Sequence, residues 1–348
     1  MDETIKRQSL YFTSKRTVSV KEETLPKMNA DQVLVQTIIS AISAGTELLI
    51  YRGEAPTQLP TDETIRALSG KLTFPLKYGY SLIGRVIKTG TGVDPSWLNK
   101  TIFSFHPHES HFKATLDEII EIPEDIIPED AVFMSNMETA FTLVMDGQPM
   151  IGEQIIILGQ GIIGLLLTAL LAQFPLGRLI TLDCYKRRRE ISVSLGAHAS
   201  LDPALPNVLE HLRSELNATG MHPRADLVYE VSGNPDALNQ AIGVAGFNGR
   251  IVIGSWYGTK IANLRLGGSF HRSRIKLMAS QVSTIAPRFH GQWTSSRRIW
   301  QVWNMLRMIR PSCHFITHRI PFTEAAKAYE LLDKSPDKTL QVILTFES

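Results

Sequence analysis

The chain of 348 residues contains only two cysteines, Cys184 and Cys313. So few thiols argue against a disulfide framework and fit a reducing cytosol, so the expected compartment is the cytoplasm. Excess charge is missing too: 36 Lys+Arg against 34 Asp+Glu leave +2. No global field therefore recruits nucleic acid or an anionic membrane. The longest apolar run, around Ile162 to Ala172, is too short to span a bilayer. The opening residues, Met1 to Arg7, lack the apolar core of a signal peptide. Nor is there a Ser/His/Asp hydrolase elbow, an internal repeat or a low-complexity tract. What is present is the composition of a soluble globular protein, 43% apolar and 20% charged, with length enough for two domains.

The strongest positive signal is Gln154-Ile155-Ile156-Ile157-Leu158-Gly159-Gln160-Gly161-Ile162-Ile163-Gly164. An apolar run ending in G-x-G-x-x-G and continuing into a Leu/Ala segment reads as a buried parallel strand, a tight turn and a helix. Gly159 permits the turn, Gly161 lets backbone approach a pyrophosphate, and Gly164 lets helix touch strand. The N–H groups that open the helix, from Ile162 and Ile163 onward, then face phosphate. A second apolar strand, Arg178 to Leu182, ends in Asp183, nineteen positions after Gly164. That is where an acidic residue holds the ribose hydroxyls of NAD, so the expected cofactor is NAD. The basic run Lys186 to Arg189 reads either as a solvated helix face or as the source of an arginine, Arg188, that stacks on adenine or meets a phosphate.

Before this unit, from Ser9 to about Glu121, short β-branched runs alternate with turns. Thr17 to Val20, Gln32 to Ile39 and Leu82 to Ile87 read as strands of a small barrel. The stretch from Glu54 to Phe74 reads as a decorated loop or a lid, with a short helix over Asp62 to Leu68. An apolar helix is expected over Ala131 to Met145. Strands follow at Ala225 to Val231, Gly249 to Gly254 and Ile275 to Ala279, with a helix over Pro235 to Val244. The β/α alternation predicts a doubly wound parallel sheet inserted into another fold. After Ala286 come helices at Ser295 to Met308 and Thr323 to Leu332, then a last strand, Leu340 to Phe346.

The β-rich start, Gly152-Glu153 before the fingerprint strand, Glu230-Val231-Ser232-Gly233 and the final strand together resemble the medium-chain dehydrogenase/reductase superfamily over nearly the whole chain. The resemblance implies a GroES-like catalytic domain at residues 1–138 and 285–348, and a Rossmann NAD-binding domain at residues 139–284. It also implies a cleft between them for nicotinamide and substrate. Zinc-dependent members carry Cys-Gly-Thr-Asp, Gly-His-Glu and a third Cys before Thr-Ala. Here Ala44-Gly45-Thr46-Glu47, Gly79-Tyr80-Ser81 and Ser135 before Thr139-Ala140 stand instead. Ala44, Tyr80 and Ser135 thus replace the three metal positions, and none is a good Zn²⁺ ligand. The four-cysteine structural zinc lobe is missing as well. The chain is similar to a zinc-free branch, of bacteriochlorophyllide dehydrogenase type in Ile42 to Glu47 and Gly79-Tyr80.

Without a metal, the carbonyl oxygen needs a hydroxyl or imidazole donor. Tyr80 is the expected hydrogen-bond donor or acid, with Thr46, at the family's proton-relay position, orienting it. A core tyrosine with a satisfied hydroxyl is the competing reading. In Phe103 to His111, three histidines and a carboxylate fall close together. His108 could line the cleft; His106, His108 and His111 could bind metal or be ordinary satisfied histidines. Glu138 either lines the helix under the nicotinamide or is a plain helix charge. By resemblance Ser232, Gly254, Ser255 and Trp256 lie along the adenosine and nicotinamide ribose, and Thr139 and Ser280 are further cofactor candidates. Ser269 to Arg272 and Ser280-Gln281 either close the site or, in Arg272 and Arg274, are solvated side chains. The expected activity is NAD(H)-dependent, zinc-independent interconversion of a secondary alcohol and a ketone. Reduction of an activated carbon-carbon double bond and a non-catalytic NADH-binding relative are the alternatives. A homodimer through the sheet edge near Ile275 to Ala279 is expected, with a small-molecule substrate and no nucleic-acid or membrane partner.

Overall fold

The computed structural model describes residues 5–217 and 223–347, so Met1 to Thr4 of the opening stretch lie outside it. The chain divides into two compact units, residues 1–135 with 306–348, and residues 136–305.

The first unit begins with a hairpin, Lys6–Ser14 (β1) and Thr17–Thr24 (β2). Gln32–Ala41 (β3), Leu82–Thr89 (β4), Thr101–Ser104 (β5), His111–Thr115 (β6) and Ile119–Glu121 (β7) follow. β3 is central: it pairs antiparallel with both β4 and β6, and β4 continues through β5 to β7. Its branched residues Val33 and Val35 meet Leu82, Val86, Ile102 and Phe112 in one buried cluster, which makes the interior of the barrel. The hairpin docks through backbone bonds from Leu10 to His108 at 3.0 Å and from Phe12 to Leu76 at 2.9 Å. Charge reinforces it. Buried Glu109 takes Arg7 at 2.8 Å and Lys77 at 2.5 Å, and Arg7 also pairs with Glu23 at 3.0 Å.

One element missing from the sequence reading is the helix Ala44–Tyr51, directly after β3. The expected helix over Asp62 to Leu68 does not form. Asp62 Oδ1 instead accepts the backbone N–H groups of Thr64 at 2.7 Å and Ile65 at 2.8 Å, a local turn that competes with helix. The loop is nonetheless packed, because Leu68 and Leu72 join the core of this unit. The helix expected over Ala131 to Met145 is broken into Pro128–Ala131 and Met134–Gly147.

The second unit is built on six parallel strands, Gln154–Leu158 (β8), Arg178–Leu182 (β9), Ala199–Leu201 (β10), Ala225–Glu230 (β11), Ala245–Ile253 (β12) and Lys276–Ala279 (β13). Their order is β10-β9-β8-β11-β12-β13, the doubly wound arrangement whose order reverses beside β8. All five residues of β8 are buried. Helices Ile162–Leu171, Lys186–Ser194, Val208–Asn217 and Ala237–Val244 connect the strands.

The chain then returns to the first unit with Ile316–Pro321 (β14), the helix Ala325–Lys334 and Gln341–Thr345 (β15). β15 runs antiparallel to β3, with Ile343 opposite Ala41, so the last strand completes the first sheet. The return comes at residue 306, not at 285. Residues 285–305 pack in the second unit: Trp293 lies 5.6 Å from Phe141, and buried Arg298 pairs with Glu138 at 2.8 Å. Helical periodicity marks such a segment but does not say which core it joins.

Candidate active site

In the first unit, Ser43 is the N-cap of the helix Ala44–Tyr51, yet its hydroxyl makes no capping bond. It bonds the Tyr80 hydroxyl instead, and Tyr80 lies 3.2 Å from Thr46 Oγ1 as well. Glu47 supplies the reciprocal half of the cap: its Oε1 accepts the Ser43 backbone N–H at 2.8 Å. Three hydroxyls thus meet at the start of one helix. Tyr80 follows Gly79, whose φ of +125° is open to glycine, and its ring stands edge-on to Tyr78 at 6.1 Å. Burial drives the Tyr80 phenol up to about 12, against the pull of the Ser43 and Thr46 hydrogen bonds. At neutral pH it is a proton donor.

The structure therefore brings Tyr80 and Thr46 together, and adds Ser43. Of the positions that hold zinc in zinc-dependent relatives, Ala44 offers no donor atom, Tyr80 is committed to hydroxyls, and Ser135 is a weak donor. These residues do not fit a catalytic zinc. Among the described residues, no three of His, Cys, Asp and Glu stand together as a metal group.

His108 is not a cleft-lining group. It is fully buried, with Nδ1 2.8 Å from Ser40 Oγ and Nε2 3.1 Å from Glu47 Oε2. Proline at position 107 redirects the chain, so the alternation of a regular strand does not apply. His106 stacks on Phe112 with ring centroids 4.0 Å apart, and burial lowers its pKa. His111 Nδ1 lies 3.2 Å from Ser110 Oγ, and burial lowers its pKa also.

In the second unit, Gly159 has φ of +98°, and a Cβ there would come within 2.5 Å of Ser232 Cα. A Cβ on Gly164 would lie 2.0 Å from the Gly159 carbonyl oxygen, whereas one on Gly161 would meet nothing within 4 Å. The first and third glycines serve packing, and the second leaves open space. Gly161 caps the helix Ile162–Leu171, whose opening N–H groups lack helical acceptors. Gln160 turns inward, taking Thr168 at 2.9 Å, while its backbone N–H reaches Asp183 Oδ2 at 2.8 Å. Asp183 Oδ1 accepts the Tyr185 N–H at 2.8 Å, so this carboxylate joins the glycine turn to the end of β9. Arg188 lies over the Tyr185 ring, 4.7 Å from its centroid, and 3.9 Å from Asp183. Cys184, next in sequence to Asp183, is exposed.

Ser232, Gly254 and Ser255 sit at the carboxyl ends of β11 and β12, and Ser255 Oγ accepts the Gly233 N–H at 2.9 Å. Fully buried Glu230, whose importance is not apparent from sequence, organises this edge. It accepts the Ser232 N–H at 2.8 Å together with the Ser232 and Tyr257 hydroxyls. Burial and the Glu230 charge push the Tyr257 phenol well up. A carboxylate directly after the apolar Leu227-Val228-Tyr229 is the one trace that it leaves in the sequence. Trp256 is partly exposed at the same edge. Thr139 lies on the helix Met134–Gly147; neighbouring Glu138 is a buried partner of Arg298, its pKa raised by burial against the arginine's pull. The Ser280 hydroxyl donates to Asp146 Oδ2 at 2.7 Å. Ser269, His271, Arg272 and Gln281 are exposed.

A barrel with a returning last strand and a doubly wound sheet with a dinucleotide fingerprint define a two-domain fold of the alcohol dehydrogenase kind. No family model matches the chain. It is 21% identical over 353 residues to D-guloside 3-dehydrogenase of Escherichia coli K12, covering 97% of this chain and 100% of that protein. It is 23% identical to L-threonine 3-dehydrogenase of Caldanaerobacter subterraneus, covering 90% and 92%. Among solved structures, an Escherichia coli alcohol dehydrogenase complexed with NADH superposes with a TM-score of 0.77 at 18% identity, over 98% and 99% of the two chains. A Sinorhizobium meliloti zinc-binding dehydrogenase bound to NADP gives 0.77 at 18%, over 98% and 99%. These relatives are named as dehydrogenases, a zinc-type alcohol dehydrogenase-like protein of Haemophilus influenzae at 23% identity among them, and the chain shares the two-domain fold of the solved dehydrogenases.

Proposed function

We propose that this chain is an NAD(H)-dependent, zinc-independent oxidoreductase that interconverts a secondary alcohol and a ketone on a small or medium-sized metabolite. The observation that carries the reading is the Ser43–Tyr80–Thr46 hydroxyl cluster, in which Tyr80 stands at one of the three positions that the resemblance matches to zinc ligands. Hydride transfer to a carbonyl requires a nicotinamide and an acid for the oxygen. The glycine turn and Asp183 support the first, and the neutral Tyr80 phenol supports the second. Asp183 at the ribose position favours NAD(H) over NADP(H). Relatives named for oxidising the 3-position of a guloside and of threonine support the alcohol/ketone chemistry. A homodimer formed through the edge strand β13, whose outer side has no partner strand among the described residues, completes the proposal.

The test is deuteride transfer from C4-deuterated NADH to a panel of cyclic ketones, sugar-like ketones and enones, read by mass spectrometry and NMR. Deuterium on a carbinol carbon is the expected outcome. Deuterium on an enone β-carbon would replace this reading with double-bond reduction, and binding of NADH without any transfer would favour a non-catalytic role.

A further inference from the structure

A second polar group lies behind the hydroxyl cluster. Ser40, Glu47, His108 and Tyr329 are all completely buried. They come from the end of β3, the helix Ala44–Tyr51, the loop before β6 and the helix Ala325–Lys334. Glu47 joins them. Its Oε2 receives the Tyr329 hydroxyl and lies 3.1 Å from His108 Nε2, while Oε1 receives the Ser43 backbone N–H at 2.8 Å. A carboxylate in such a place is tolerated only if every lone pair it presents is met by a donor. That places a proton on His108 Nε2, facing the carboxylate, while Nδ1 lies 2.8 Å from Ser40 Oγ.

Two separate contacts connect this group to Tyr80. Through Glu47 it holds the backbone of Ser43, and the Ser43 hydroxyl, released from capping, meets Tyr80. Through the imidazole it holds Gly79: a Cβ at that glycine would lie 2.7 Å from His108 Nε2, so the ring packs on the backbone just before Tyr80. An acid that works without a metal depends on being fixed before substrate arrives. We infer that His108 and Tyr329 are positioning residues that act through Glu47 to fix the Ser43–Tyr80–Thr46 cluster. The inference rests on the proposed role of Tyr80 for its kinetic consequence, but not for its geometry.

The test uses the full chain labelled with [13Cζ]tyrosine at neutral pH, the Tyr80 resonance being assigned with Tyr80→Phe. Ser43→Ala removes the direct partner and sets the size of the response. Tyr329→Phe keeps the ring that packs 5.2 Å from Phe12 and 5.6 Å from Tyr51 and removes only the hydroxyl, and a thermal melt checks that the variant is folded. His108→Gln is the second variant. Both should move the Tyr80 resonance in the same direction as Ser43→Ala. A resonance unmoved by Tyr329→Phe and His108→Gln, or unmoved by Ser43→Ala, overturns the inference. With the ketone that accepts deuteride, Tyr329→Phe should lower kcat about tenfold and leave the KM for NADH unchanged. In the Tyr80→Phe background it should cost nothing further. Additive losses, or an unchanged kcat, would reduce Tyr329 to a structural residue. If Tyr80→Phe itself turned over at full rate, the proposed function would lose its acid while the resonance shifts would still decide the geometry.

Discussion

Tyr80 keeps its proton until about pH 12. At pH 7 the phenolate is therefore only about one part in 10⁵ of the population. If Tyr80 is the acid, as proposed, ketone reduction should be flat between about pH 6 and 9, while alcohol oxidation, which would then need the phenolate, should rise about tenfold per pH unit. Initial rates in both directions across that range check this. Tyr80→Phe should lower turnover at least about tenfold and leave NADH affinity unaltered, measured by fluorescence titration. At this scale the sequence reading paired Thr46 with Tyr80 from two short motifs, and the structure sets their hydroxyls 3.2 Å apart. It missed Ser43, and it sent His108 toward a cleft. The deciding partners are remote: Tyr329 reaches Glu47 from the far end of the chain, and no local pattern joins those two.

Elements were legible where burial is total. The five buried residues of β8 and the glycines after them identify the turn without ambiguity. The turn also tolerates little: Gly164→Ala puts a methyl against the Gly159 carbonyl, 2.0 Å from the oxygen. NADH affinity should fall at least about tenfold, read by calorimetry, because helix and strand must separate. The loop from Glu54 to Phe74 was less legible, since one aspartate side chain decides between turn and helix. The hairpin of β1 and β2 gives a prediction of its own. Burial of Glu23 would raise its pKa, but hydrogen bonds from Tyr11 and Ser9 and the charges of Lys77 and Arg7 outweigh it and hold Glu23 at about 2. A depressed carboxylate stabilises the fold above its unfolded pKa, so this contribution is lost as pH falls from about 4.5 toward 2. Thermal melts should show Tm dropping through that window, and less so in Glu23→Gln.

Across the whole molecule, the alternation of strands and helices was enough to read a barrel interrupted by a doubly wound sheet. The second boundary was not. The segment 285–305 carries helical periodicity suited to either core, and buried Arg298 decides the matter by pairing with Glu138. Leaving Glu138 buried without its guanidinium is costly, so Arg298→Met should lower Tm by several degrees, about 3 kcal/mol in stability. Calorimetry on the intact chain would test it, with Glu138→Gln/Arg298→Met recovering part of the loss.

The scarcity of cysteine leaves the molecule with a ready-made pair of handles. Cys184 and Cys313 are both exposed, and one lies in each compact unit. Burial and the nearby Asp183 and Asp202 charges raise the Cys184 pKa, which slows its reaction with electrophiles at neutral pH. A donor and an acceptor dye on the unmodified polypeptide would then report, molecule by molecule, how the spacing of the two units responds to NADH.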